Sequence, residues 1–88
     1  MKTSTYSPHY DKLRLWLKTH REAKGLSLRE VSEKWGKHHS ILGKIEQARR
    51  KVELVEFIEL CQILDVDPRE GLSLMMASMK ITVSRTGR

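Results

Sequence analysis

The sequence has one cysteine, few aromatic residues and no long hydrophobic run, and each shortage excludes a class of protein. A single cysteine cannot form an intramolecular disulfide or supply an all-cysteine metal cluster. No apolar stretch approaches the roughly 20 residues of a membrane-spanning helix, and the polar start, Met1 to Ser7, does not resemble a signal peptide. We therefore expect a soluble, cytoplasmic protein with no membrane association.

The motifs that carry enzymatic chemistry are also missing. The chain shows no glycine-rich phosphate loop, no paired carboxylates and no nucleophile-and-base motif, and its four histidines and Cys61 do not share a zinc-ligand spacing. With 88 residues the chain is long enough for one domain with a small core. We expect a protein that is not an enzyme and that uses no cofactor or metal.

What the sequence does contain is an uneven distribution of charge. The net charge is +6, and residues 34 to 51 hold six basic side chains against Glu46 alone, whereas residues 52 to 67 hold five acidic side chains and no basic one. This segregation predicts one surface that faces a polyanion and another turned away from it. Basic residues that are merely solvated would give the same composition, so charge alone leaves that alternative open.

Helical periodicity and helix-stop signals predict an all-α fold of five helices. They cover about residues 9–24, 28–35, 39–47, 53–64 and 68–76. Gly25 ends the first helix, and Ser27 with Glu30 forms a capping box at the start of the second. Residues 9–76 thus form one domain, preceded by a disordered tail over residues 1–8. Because Met79, Ile81 and Val83 alternate with polar residues, residues 77–88 are either a frayed tail or a short dimerisation strand.

Residues 27 to 46 form the most informative segment. Two short helices are separated by Gly36, and each has one apolar face, made by Leu28, Val31, Trp35, Leu42 and Ile45. The other face of the second helix is polar and basic, and Gly43 is expected to be exposed there and to let the helix approach a partner closely. A polar helix braced on a neighbour by a tight glycine-containing turn is what a DNA-reading helix-turn-helix requires.

The segment and its flanks resemble the Xre family of phage-repressor-like and Cro-like regulators. The similarity rests on Gly25-Leu26-Ser27, Glu30-Val31-Ser32, Gly36 and residues 42–46, and it continues through residues 57–68. It implies a five-helix phage-repressor-like DNA-binding domain. The chain departs from the family at Leu28, where a phosphate-binding glutamine is common, and at Gln47-Ala48, where Asn-Gly is common. Because alanine suits a left-handed cap poorly, we expect the third helix to end differently or to run longer.

Roles for individual residues follow from this resemblance and from the chemistry of DNA recognition. The resemblance places four residues at base-reading positions: His38, His39, Ser40 and Lys44. Four basic residues flank the helix and are expected to contact phosphates, unless they are simply solvated: Lys37, Arg49, Arg50 and Lys51. The family also implies a structural ion pair between Arg21 and Glu46, although Arg21 could instead meet a phosphate.

These features predict a sequence-specific regulator that binds a near-palindromic double-stranded operator as a homodimer and acts as a repressor of phage, mobile-element or autoregulatory type. The dimer surface would be helix five, through residues 72–76, or the strand over residues 79–83. The alternative is an antitoxin that binds a toxin protein through helix four or the C-terminal tail and autoregulates its operon. A third possibility is a nucleoid-type protein that binds any duplex through charge alone.

Overall fold

The computed structural model describes residues 7–80 and shows five α-helices. They are α1 (Pro8–Ala23), α2 (Leu28–Trp35), α3 (His39–Glu46), α4 (Leu54–Leu64) and α5 (Pro68–Ser78). No strand occurs between residues 7 and 80, which confirms the all-α prediction. Most of the predicted N-terminal tail and C-terminal strand lies outside the described residues, and Met79 and Lys80 form a turn after α5.

The end of α1 and both ends of α2 lie where the local sequence signals predict them. Ser27 Oγ accepts a hydrogen bond from the Glu30 backbone N–H at 3.0 Å, and Glu30 Oε1 accepts one from the Ser27 N–H at 2.8 Å, so the predicted capping box is confirmed. Gly36 closes α2 in the left-handed conformation, with φ of 81°. Gly25, just beyond α1, is also left-handed, with φ of 70°. Glycine adopts these angles without the steric cost that a side chain would add.

The end of α3 differs from the prediction. Ala48 adopts the left-handed conformation itself, with φ of 65°, so alanine takes the angle that glycine usually supplies after a helix. The Arg49 N–H donates to the Lys44 carbonyl at 2.8 Å and the Ala48 N–H to the Ile45 carbonyl at 3.2 Å. These two bonds satisfy carbonyls in the last turn and hold alanine in an angle that it seldom adopts.

The core lies where the five helices converge. Its fully or nearly fully buried apolar side chains come from four of them: Leu13, Leu17, Val31, Leu42, Ile45, Phe57, Leu60, Cys61 and Leu64. Cys61 is wholly buried, and burial raises the pKa of its thiol to about 11, so the thiol stays protonated near neutral pH. The interpretation of Cys61 as a core residue is confirmed.

Helix α5 packs along α1 and meets it closely at Gly71. A Cβ atom added to Gly71 would lie 2.9 Å from two atoms of the Trp16 ring and 3.0 Å from Leu13 Cδ1. The absence of a side chain at this position is therefore what lets the two helices approach. Between residues 7 and 80, no helix is both long enough and apolar enough to cross a membrane.

Gly71→Ala is expected to lower the free energy of unfolding by about 1–2 kcal/mol, because the clash with the Trp16 ring outweighs the helix propensity gained. Gly43→Ala is the matched control, since its Cβ would meet only Leu28 Cδ1, at 3.9 Å. That variant should be as stable as the parent or more so. Chemical denaturation of the three proteins compares them. A Gly71→Ala protein as stable as Gly43→Ala would mean that α1 and α5 pack less tightly.

Candidate nucleic-acid interface

Helices α2 and α3 form a compact pair whose inner faces are held by the core. Val31 on α2 and Leu42 and Ile45 on α3 are each at most 3% exposed. At the end of α2, Trp35 Nε1 donates a hydrogen bond to Glu59 Oε1 of α4 at 2.9 Å. With its inner face buried, α3 presents its opposite face outward, and that face has a fixed orientation.

The first turn of α3 is organised by His38. This residue is the helix N-cap, and its Nδ1 atom accepts a hydrogen bond from the Ser40 backbone N–H at 3.1 Å. The same nitrogen lies 2.9 Å from Ser40 Oγ. Histidine thus takes the place of the usual Ser, Thr, Asp or Asn cap. Among the predicted base-reading residues, His38 therefore also has a structural contact that its sequence position did not reveal.

His38→Ala is expected to destabilise the fold by about 1 kcal/mol, the usual cost of losing an N-cap side chain. His38→Asn is the matched variant, because asparagine is a good cap that keeps an acceptor at this position. Thermal unfolding should rank the parent and His38→Asn together, above His38→Ala. Equal melting temperatures for all three would show that the Nδ1 contact contributes nothing to stability.

The other three predicted reading residues lie on one side of α3, two in its first turn and Lys44 in its last. The His39 ring stacks on His38 with a centroid separation of 4.3 Å, and Ser40 and Lys44 are exposed. Partial burial, reinforced by the nearby Arg29 and His38 charges, lowers the pKa of His39. This shift favours the neutral imidazole, which offers one donor and one acceptor to a base edge.

These side chains border a notch of about 240 Å³ on the outer side of the pair. Its lining combines polar and basic side chains with Leu28 and Gly43; the lining residues are Leu28, His39, Ser40, Gly43, Lys44, Gln47 and Arg49. Gly43 is buried, not exposed as the sequence led us to expect, because Leu28 of α2 lies over it. A partner that approaches α3 at this point would therefore meet the Leu28 side chain as well as the backbone of Gly43.

Arg21 and Glu46 tie α1 to the end of α3. Arg21 Nε donates to Glu46 Oε2 at 2.7 Å and Nη2 donates to Oε1 at 3.0 Å, a two-pronged ion pair. The two side chains are only 11% and 9% exposed, and Nη1 donates to the Leu26 carbonyl at 2.7 Å. The hydrogen bond to Glu46 raises the pKa of Arg21. This guanidinium is directed at Glu46 and at the Leu26 carbonyl.

The four predicted phosphate ligands divide into two groups. Arg49 and Lys51 are exposed in the loop after α3, and Lys37 is exposed with its ammonium 5.3 Å from the centre of the Trp35 ring. Arg50 is different, because Nη1 and Nη2 each donate to a Glu56 carboxylate oxygen at 3.0 Å. This contact lowers the pKa of Glu56 and anchors the loop to α4. The structure thus gives Arg50 an internal partner that the sequence did not indicate.

Three residues of this surface were not assigned to it from the sequence. Arg29 is exposed in the first turn of α2, close enough for its charge to affect His39. Gln47, the C-cap of α3, and Leu28 both line the notch. Helical phase would have placed Arg29 on the outer face of α2. The position of Leu28 against Gly43 depends on how α2 and α3 pack, which periodicity does not give.

A comparison with known families agrees with this geometry. The model of a helix-turn-helix domain family matches residues 13–74, more than two thirds of the 88-residue chain. The match spans α2 through α4 entirely and most of α1 and α5. This family is typical of Xre-like regulators, and its members are typically non-enzymatic. No curated protein matches the chain significantly.

Proposed function

We propose, because the chain belongs to this helix-turn-helix domain family, that it is a sequence-specific, Xre-type transcriptional repressor. Membership of the family supports a DNA-binding regulator in general, and the finer role is our proposal. The protein binds a near-palindromic duplex operator as a homodimer in the cytoplasm. It carries out no catalysis and needs no cofactor.

The observation that carries the proposal is the outer face of α3. His39, Ser40 and Lys44 border one notch there, and each can exchange hydrogen bonds with base edges. The helix behind them is held at its start by the His38 cap and at its end by the Arg21–Glu46 pair. A rigid helix with donors and acceptors on its outer face fits the major groove, where each base pair presents a distinct pattern.

Phosphate contacts supply the rest of the affinity. Arg49 and Lys51 follow the reading helix, and Lys37 and Arg29 lie near its start. Basic side chains at both ends of a helix can contact the phosphates on either side of the groove it enters. Such contacts fix the position of the protein on the duplex without selecting a sequence.

Salt dependence separates Lys51 from Arg50. Lys51→Ala should weaken binding to every duplex and make the slope of log affinity against log salt shallower by about 0.9, the value for one lost phosphate contact. Arg50→Ala should leave the slope unchanged, because its guanidinium is occupied by Glu56. Fluorescence anisotropy over a salt series measures both slopes. An unchanged slope for Lys51→Ala would show that Lys51 does not contact a phosphate. A shallower slope for Arg50→Ala would show that Arg50 does.

The direct test of the proposal is binding to the DNA upstream of the protein's own gene in excess unrelated duplex. We expect a discrete complex that survives the competitor and a protected segment with two related halves. Complete loss of the complex to competitor would instead identify a nucleoid-type protein that binds any duplex through charge.

The proposed homodimer requires an apolar surface, and in the described part of the chain two helices each expose at least two large apolar side chains. Helix α5 exposes Leu72 and Leu74, at 38% and 41%, as one of the two sequence hypotheses requires. Helix α4 exposes a strip of Leu54, Val55 and Ile58, at 62%, 66% and 40%, that the sequence argument did not single out. Changing each surface to serine and measuring the mass in solution would identify which one joins the subunits.

The α4 strip also favours a second candidate function. An antitoxin needs a surface for its toxin apart from its DNA-reading helix, and the strip lies on a different helix from His39 and Lys44. The two functions diverge when the strip is changed. In an antitoxin, serine at Leu54 and Val55 would abolish toxin neutralisation and spare operator binding by the subunit. A neighbouring gene encoding a toxin would support this reading.

A further inference from the structure

Two of the residues that line the notch on the outer face of α2 and α3, Leu28 and Gly43, have no polar side chain, and together they are called its floor below. Leu28 is the first residue of α2 and is only half-buried, although part of it packs on the core. Its Cδ1 atom lies 3.9 Å from where a Cβ of Gly43 would be. Gly43 thus offers no side chain to cover Leu28 from the α3 side. The result is a small hydrocarbon surface inside a polar and basic rim.

We propose that this floor, where Leu28 lies over the buried Gly43, receives the C5-methyl group of a thymine in the operator. The inference rests on the proposed function and deepens it, because it assigns one base contact to one part of the reading surface. In the major groove, thymine differs from cytosine by this methyl group and by O4 in place of an amino group. An apolar surface can recognise only the methyl group.

The rim selects the kind of ligand that reaches the floor. Lys44 and Arg49 give it positive charge, and Ser40 and Gln47 can hydrogen-bond. A free apolar ligand would leave these groups without partners, whereas a duplex supplies phosphates to the charges and base edges to the polar groups. The methyl of a thymine is the apolar group that a duplex itself presents beside such partners.

The alternative occupant of a site at the start of α2 is a phosphate. Leu28 has no donor for it, and its hydrocarbon side chain would desolvate the anion without replacing the lost hydrogen bonds. A DNA phosphate would therefore bind to Arg49 at the rim of the notch and not to Leu28. Leu28 therefore suits a base contact, whereas a polar residue at the same position could bind the DNA backbone.

The test uses the full chain and a site selected from random duplexes. Each thymine of that site is replaced in turn by deoxyuridine, which removes the methyl group and leaves the hydrogen-bonding edge intact. At one thymine in each half-site, the parent protein should lose about fourfold in affinity, the value expected for uncovering one buried methyl group. Leu28→Gln should bind the thymine and the uracil versions of the site equally well.

Leu15→Gln is the matched control, since Leu15 is an exposed leucine on α1, 63% accessible and outside the notch. It should keep the parent's response to uracil. Because the DNA substitution leaves the protein unchanged, the result with the parent does not depend on whether Leu28→Gln folds fully.

Three outcomes would overturn the inference. If binding is specific but no replacement of thymine by uracil lowers the affinity, the methyl contact does not exist and the proposed function still stands. If the selected sites carry cytosine at the position that contacts Leu28, and methylation of its C5 atom tightens binding, the ligand of the floor is 5-methylcytosine and not thymine. Absence of any selected sequence overturns the proposed function and this inference with it.

Discussion

Glu46→Ala is expected to lower the free energy of unfolding by about 3–5 kcal/mol, because it leaves the Arg21 guanidinium largely buried without its counter-ion. Arg21 makes two hydrogen bonds to this carboxylate, and its side chain is only 11% exposed. A domain of this size has limited stability, so a loss of this magnitude removes much of it. DNA binding should disappear together with the fold.

Glu22→Ala supplies the control for this experiment. Glu22 is also close to Arg21, at 3.9 Å, but its side chain is 59% exposed, so water replaces the contact at little cost. Thermal and chemical unfolding should place Glu22→Ala close to the parent and Glu46→Ala far below it. A Glu46→Ala protein with the parent's melting temperature would show that the ion pair does not hold α1 against α3.

Lys44→Ala is expected to weaken binding to the operator by about 10- to 100-fold, the range for losing one good contact to a base edge. Lys44 is exposed on the outer face of α3 and borders the notch with Ser40 and His39. Its ammonium group suits the O6 and N7 acceptors of guanine. Affinity for unrelated duplex should fall much less, so the ratio of specific to non-specific affinity is the quantity to measure.

Lys18→Ala provides a charge-matched control, because Lys18 is exposed on α1 and lies outside the notch. It removes one positive charge, as Lys44→Ala does, and should leave the ratio unchanged. If Lys44→Ala lowers specific and non-specific affinity equally, Lys44 contacts phosphate and the reading surface must be placed elsewhere.

The sequence predicted the elements of the fold because their signals are local. Gly25 and Gly36 end helices through backbone angles that need no tertiary partner, and Ser27 with Glu30 caps α2 through bonds three residues apart. The core of α4 follows from helical spacing of Phe57, Leu60 and Leu64. Interactions within one turn of helix can be inferred from the order of residues alone.

The parts of the site that escaped prediction depend on which side chains meet in space. The position of Arg50 in a basic loop gave no sign of its ion pair with the buried Glu56. Gly43 looked exposed by helical phase, yet Leu28 from another helix covers it. Ala48 occupies a left-handed angle because two backbone hydrogen bonds hold it there. Charge and periodicity do not encode these contacts.

Selection of bound duplexes from a random pool with the full-length chain tests the central claim most directly. A sequence-reading dimer should enrich one site with two related, inverted halves spaced by about one helical turn, and Lys44→Ala should broaden the preference at one position of each half. Failure to enrich any sequence, with equal binding across the pool, would contradict the assignment of α3 as a base-reading helix.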